Sequence, residues 1–256
     1  LSNPTYEWDS STNSWAGALS NYPMSNLKPE KTDSWEVGLS TRFLHGFSLD
    51  LSLYSTKTYN QTFDAQMSVS SAYKRLYVQS GKVQNKGIEI SLSTINLKGV
   101  LKWESAFNAS YNKNRIRSLN SDTPLYLNQY NNSYLTIQKV GSPINAFYGY
   151  VTDGIFQNQQ EVNNHAVQVS GGTAPGDVRF KDLDNNGVID QNDRTIIGNP
   201  NPTWIFATTQ TLRYKQFDLS VFLQGVAGND IYNVNNITSE GMSAAHNQTH
   251  RVVNRW

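Results

Sequence analysis

The sequence predicts an all-β fold: antiparallel strands that form part of the wall of a transmembrane β-barrel, with long extracellular loops. Three observations carry this. Apolar and polar residues alternate with period two over segments of about ten residues, the length a tilted membrane strand needs. The polar positions carry charges at mid-strand while aromatic residues gather at strand ends, as expected for an apolar exterior, a polar lumen and aromatic girdles. Short connections alternate with long ones along the chain, which is the outer-membrane pattern.

The first pair of strands is expected near 34–43 and 46–56. In "SWEVGLSTRF", Trp35, Val37, Leu39, Thr41 and Phe43 form one face, opposite Ser34, Glu36, Gly38, Ser40 and Arg42. After Leu44 and His45, "GFSLDLSLYS" sets Phe47, Leu49, Leu51 and Leu53 against Ser48, Asp50, Ser52 and Tyr54. Two alternating runs across so short a turn read as a hairpin. The second pair is expected near 86–96 and 100–114. "KGIEISLST" sets Ile88, Ile90, Leu92 and Thr94 against Gly87, Glu89, Ser91 and Ser93; "KWESAFNASYN" sets Trp103, Phe107, Ala109 and Tyr111 against Lys102, Glu104, Asn108 and Ser110. The third, near 203–214 and 217–226, joins "TWIFATTQTLRY" to "FDLSVFLQG" through Lys215 and Gln216. Here Phe217, Leu219, Val221 and Leu223 face away from Asp218, Ser220 and Gln224. Extracellular loops are expected near 57–85, 115–202 and 227–256. Six strands cannot close a wide barrel, and free edges in lipid are very costly, so the pattern implies partner strands from the rest of the same chain.

Composition bounds the remaining choices. The 256 residues suffice for one large all-β domain or two small ones. Twenty-one basic residues balance 20 acidic ones, so no nucleic-acid footprint is indicated. The absence of cysteine excludes disulfides, thiolate metal sites and cysteine nucleophiles, leaving oxygen-ligated calcium as the main metal option. Charged residues make up only 16% and aromatics 12%, a β-rich and uncharged-polar balance. No apolar run reaches the roughly 20 residues of a membrane helix, a scan that does not detect barrel strands. The opening "LSNPTYEWDSS", without an initiator methionine, is expected of a fragment or processed piece. A secreted, soluble, calcium-braced all-β glycan-binding module is the alternative, because sandwich strands alternate too; it predicts that residues 1–256 fold alone.

One loop stands apart. "DLDNNGVIDQND" places Asp182, Asp184 and Asn186 at positions 1, 3 and 5 of a calcium-loop pattern, Gly187 at 6, the Val188 carbonyl at 7, Asp190 at 9 and Asp193 at 12. Every ligand position offers oxygen, the glycine permits the sharp bend, and Ile189 is expected to pack inwards. Asp193 replaces the usual bidentate glutamate, which implies weaker closure. An Asx-turn-rich loop without an ion is the competing reading. The flanking "APGDVRF" and "RTIIGNPNP" read as extended rather than helical, so the expected role is to brace a long loop, not to sense calcium.

Several stretches together resemble one family, the SusC-like TonB-dependent transporters of Bacteroidetes outer membranes. They are "NLKPEKTDSWEVGLSTRF", "GKVQNKGIEISLSTINLK", "FNASYNKNRIRSL", "VGSPINAFYGYVTDGIFQNQQEV", "APGDVRFKDLDNNGVIDQNDRTIIGNPNPTW", "FDLSVFLQGVAGNDIYN" and "VVNRW", in family order from Asn26 onwards. The resemblance implies a plugged barrel of the roughly 22-stranded type. It further implies import of oligosaccharide or oligopeptide, driven by the TonB complex through the missing plug part and assisted by a SusD-like surface lipoprotein. With the loop-length rule, it places Asp182 to Asp193 outside the cell.

Other candidates are weaker. Trp8, Trp15, Tyr126, Tyr130, Phe147, Tyr148 and Tyr150 could stack on a substrate, although packing among loops is the favoured reading. His246 and His250 have metal spacing only on a helix and lack a third ligand. Sequons at Asn60 and Asn131 are expected by chance in so asparagine-rich a chain. No enzymatic activity is expected: sequence converges no two carboxylates as glycoside hydrolysis requires, and Glu36, Asp50, Glu89, Glu104 and Asp218 are assigned to the lumen wall.

Overall fold

The computed structural model describes residues 5–9, 14–22, 27–44, 46–66, 73–79, 81–120, 123–130, 133–168, 172–242, 245 and 247–254. In chain order the strands are β1 (Thr5–Asp9), β2 (Ser14–Tyr22), β3 (Lys31–Phe43), β4 (Phe47–Tyr59), β5 (Thr62–Gln66), β6 (Tyr73–Gln79), β7 (Lys82–Lys98) and β8 (Leu101–Ser118). They continue as β9 (Leu125–Tyr130), β10 (Ser133–Gln138), β11 (Ala146–Tyr150), β12 (Thr152–Ile155), β13 (Val178–Phe180), β14 (Arg194–Gly198), β15 (Trp204–Tyr214) and β16 (Phe217–Ala227). Two single-turn α-helices, α1 (Gln159–Asn163) and α2 (Asn235–Ser239), and 3-10 turns at Gln191–Asp193 and His250–Asn254 complete the set among the described residues. The chain divides into two compact units, residues 1–146 with 199–229, and residues 147–198 with 230–256.

The first unit is dominated by an antiparallel sheet in the order β16-β15-β8-β7-β4-β3. Each hairpin expected from alternation is present, and the register aligns the apolar sets across all six strands. One row runs Leu39, Leu51, Ile90, Ala109, Phe206, Gly225; the next runs Thr41, Leu49, Leu92, Phe107, Thr208, Leu223. Because side chains alternate across a sheet, this register puts Glu36, Asp50, Glu89 and Glu104 on the opposite face.

The strands run longer than the alternation. β7 has 17 residues and β8 has 18, so at about 3.3 Å per residue each outreaches the hydrocarbon layer even when tilted. The excess lies at the long-connection end, where Lys82, Val83 and Gln84 still pair with Ser118, Ile116 and Arg115. Hydrophobic alternation stops where lipid stops, whereas backbone pairing continues. The stretch 57–85 is accordingly mostly strand, with the end of β4, then β5, β6 and the start of β7; 115–202 holds the end of β8, β9 to β14 and α1.

Two glycines are required by close approach. A Cβ at Gly87 would lie 2.3 Å from the Tyr111 carbonyl oxygen and 2.5 Å from the Tyr54 ring, which covers the glycine on the polar face. A Cβ at Gly225 would lie 2.7 Å from the Phe206 ring on the apolar face. Among the described residues the buried apolar side chains lie away from the apolar rows: Phe63, Val83, Ile116, Leu127, Ile137 and Ala146 in the first unit, Phe156 and Ile189 in the second.

Candidate functional site

The wall has two chemically distinct faces. Its apolar face is uncovered: Val37 is 64% exposed, Leu39 56%, Leu219 58% and Leu223 61%. A soluble sandwich buries such a face against a second sheet. Aromatic rings mark the two ends of the strands. Phe43 stacks on Phe47 at the short-turn end (5.6 Å), and Tyr111 packs on Trp204 at the other (4.9 Å).

The apolar face is not wholly apolar. Thr94, Ser105 and Gln210 occupy one register row on it, beside Phe47. They satisfy one another: Trp103 Nε1–H and Ser105 Oγ–H donate to Gln210 Oε1 at 2.9 and 2.6 Å, and Gln210 Nε2–H donates to Thr208 Oγ1 at 2.9 Å. Asn96 Nδ2–H donates to Ser105 Oγ at 2.6 Å, and Thr94 Oγ1–H to Asn96 Oδ1 at 2.8 Å. A closed chain of donors and acceptors is what allows polar groups to face hydrocarbon at modest cost. Sequence reading passed over Asn96, Ser105 and Gln210 because apolar counting has no signal for mutually paired polar residues.

In the second unit the aspartate loop is strung between β13 and β14, and no α-helix flanks it. Asp182, Asp184 and Asp193 bring one carboxylate oxygen each to within 4.8 Å of one another. Main-chain N–H groups wrap them. Asn186 and Gly187 donate to Asp182 at 3.3 and 2.9 Å, and Asn186 also donates to Asp184 Oδ1 at 3.1 Å. Asp193 is fully buried and accepts from Leu183 N–H at 2.7 Å and Asp190 N–H at 2.8 Å. The Asp190 N–H, more than any other group, holds the Asp193 carboxyl below the usual carboxylate range, against the opposing effect of burial.

The other two side-chain ligands of the pattern are placed differently. Asn186 Oδ1 accepts from Val188 N–H at 2.8 Å. Asp190 lies outside the group of three and caps the 3-10 turn over Gln191–Asp193, accepting from Asn192 N–H at 2.7 Å. Gly187, with φ of 83°, makes the bend, and Ile189 is buried. A paired segment anchors the turn: Ile189 N–H donates to the Val167 carbonyl at 2.8 Å and Val167 N–H to the Gly187 carbonyl at 2.9 Å. A donor set made wholly of hard oxygens suits calcium rather than a soft metal, and so fits the ion that the spacing implies.

Several loop aromatics pack on other rings. Tyr126 meets Tyr134 at 5.6 Å, Phe147 meets Tyr232 at 5.7 Å, and Tyr150 lies 5.2 Å from Phe180 with the Arg194 guanidinium 4.7 Å over its own ring. The side chains of Trp8 and Trp15, and His246 and Asn131 entirely, lie outside the described residues.

Comparison with known proteins agrees with the wall. A family model described as TonB dependent receptor-like, beta-barrel matches residues 2–226. The chain is 32% identical to TonB-dependent receptor P3 of Formosa agariphila over 244 residues, covering 93% of this chain and 24% of that protein. It is 28% identical to TonB-dependent receptor SusC of Bacteroides thetaiotaomicron over 236 residues, covering 85% of this chain and 22% of that one. Among solved structures, the RagAB peptide transporter superposes with a TM-score of 0.71 at 18% identity, over 94% of this chain and 25% of that chain. The chain thus spans about a quarter of the length of the relatives it matches.

Proposed function

Because the chain belongs to the TonB dependent receptor-like β-barrel family, a family of outer-membrane barrels and not of enzymes, we propose that it supplies wall strands to a nutrient importer. The cargo would be an oligosaccharide or oligopeptide too large for passive diffusion. A SusD-like surface lipoprotein would deliver it, and the TonB complex would supply energy through another part of the same protein. The observation that carries this reading is the six-stranded wall with its apolar rows exposed on one face and charged residues on the other. Membrane lipid covers the first face; the second lines the lumen. The relatives add support: one is SusC, and one solved neighbour is described as a peptide transporter. No nucleic acid enters this reading.

The aspartate loop is assigned a bracing role at the cell exterior. Calcium would be held by Asp182, Asp184, Asn186 and Asp193 with the Val188 carbonyl, and Asp190 would support the ion from its capping position. The ion would supply positive charge where three carboxylates converge. Asp193 already ties the two ends of the loop together through Leu183 and Asp190. Limited proteolysis of the parent protein with and without calcium tests this. Protection of the loop by calcium, lost in Asp182→Ala, is expected; identical cleavage in all samples would remove the calcium assignment.

The import reading is tested by tagging the parent protein in its own cells. Recovery only with detergent, together with a surface lipoprotein, is expected. Recovery from the aqueous phase would overturn the reading in favour of a secreted module.

A further inference from the structure

The second unit holds an open cavity of about 530 Å3 lined by Asp153, Asn158, Gln160, Glu161, Asn164, His165 and Arg179. None of these side chains is aliphatic, and the floor is fixed by charge-assisted bonds. Arg179 donates Nε–H and Nη2–H to the Asp153 carbonyl at 3.0 and 2.6 Å, and lies 3.8 Å from the Asp153 carboxylate and 3.6 Å from that of Glu161. Glu161 also accepts from Gln157 N–H at 3.0 Å and Asn158 Nδ2–H at 3.3 Å. His165 is steadied by a 2.9 Å contact from Nδ1 to the Ala166 carbonyl and by edge-on packing against buried Phe156. On the rim Gln160 and Asn164, four residues apart and both exposed, make no side-chain hydrogen bond among the described residues.

We propose that this cavity binds a neutral saccharide unit, an inference that rests on the import reading and names its cargo class. Each sugar hydroxyl both donates and accepts, and needs the two kinds of partner side by side. Carboxylates here only accept, the guanidinium only donates, and the rim amides do both. Because the floor groups are held before any ligand arrives, little ordering cost remains to be met on binding. Two carboxylates against one guanidinium disfavour an anionic ligand. A peptide is usually recognised by main-chain pairing at a strand edge or by apolar side-chain pockets; the lining holds no apolar side chain, and the Asp153 carbonyl is already taken by Arg179.

The test uses the full-length transporter in detergent and saturation-transfer NMR. Probes are maltohexaose, laminarihexaose, xylohexaose and mannohexaose, with oligogalacturonate and hexa-alanine for comparison. At least one neutral hexasaccharide should bind, and the double variant Gln160→Ala/Asn164→Ala should weaken it about tenfold. Both positions are exposed, so the variant should keep the wild-type proteolysis pattern; Asn164→Gln, which retains the amide, should recover part of the loss. The proposal is overturned if no neutral hexasaccharide binds, if binding survives the double change, or if oligogalacturonate or hexa-alanine is the probe that depends on these residues. Failure of the import reading shows separately, as recovery of the protein without detergent.

Discussion

At the scale of single residues, Asp193 shows how a buried carboxylate is kept charged. Its two main-chain partners hold the folded carboxyl below the ordinary aspartate value, so the loop gains stability from ionisation above that value. The gain is lost as pH falls through the depressed folded value. Without calcium, resistance of the loop to pepsin should therefore hold from about pH 5 to about pH 4 and decline only below that. Asp193→Asn should abolish this acid step. If the step persists in the variant, another group causes it. The convergence of Asp182, Asp184 and Asp193, the glycine bend and the burial of Ile189 were all legible in the sequence. The capping role of Asp190 was not, because a one-dimensional ligand pattern does not show which oxygen a neighbouring N–H has taken.

At the scale of elements, the two faces of the wall give opposite expectations for the same substitution. Leu51→Arg, in the middle of an apolar row, should destabilise the full barrel by about 2–4 kcal/mol. Ser52→Arg, one residue on and facing the lumen, should be nearly neutral. Heat-modifiable gel mobility reads both, and equal effects would contradict the assignment of faces. Gly87→Ala forces a Cβ against the Tyr111 backbone and should cost about 1–3 kcal/mol. Gly225→Ala meets only a ring that can swing towards lipid and should cost less; the reverse order in melting temperature would show that the two approaches are misassigned. All six wall strands were legible because lipid on one side and water on the other impose alternation. The short strands β5, β6 and β9 to β14 were not, because they lie where that asymmetry ends and pair through backbone groups that side-chain patterns do not report.

At the scale of the molecule, the sheet ends at β3 and β16, whose outer backbone groups have no strand partner among the described residues. Residues 1–256 expressed alone should sediment as aggregate, since lipid-facing rows and open edges are exposed together. A monomeric species with a single sharp melt would instead support the soluble alternative. One further consequence lies in how the sheet is joined. Trp103 and Gln210 touch although they lie 107 positions apart in the chain, whereas the hairpin partners Tyr214 and Phe217 are joined by only Lys215 and Gln216. Closing a connection costs only about 0.6 kcal/mol more for each doubling of its length. Outer segments between β8 and β15 can therefore be lengthened, shortened or exchanged during evolution with little thermodynamic effect on the wall. The architecture uncouples the inheritance of a membrane scaffold from the diversification of what it meets outside.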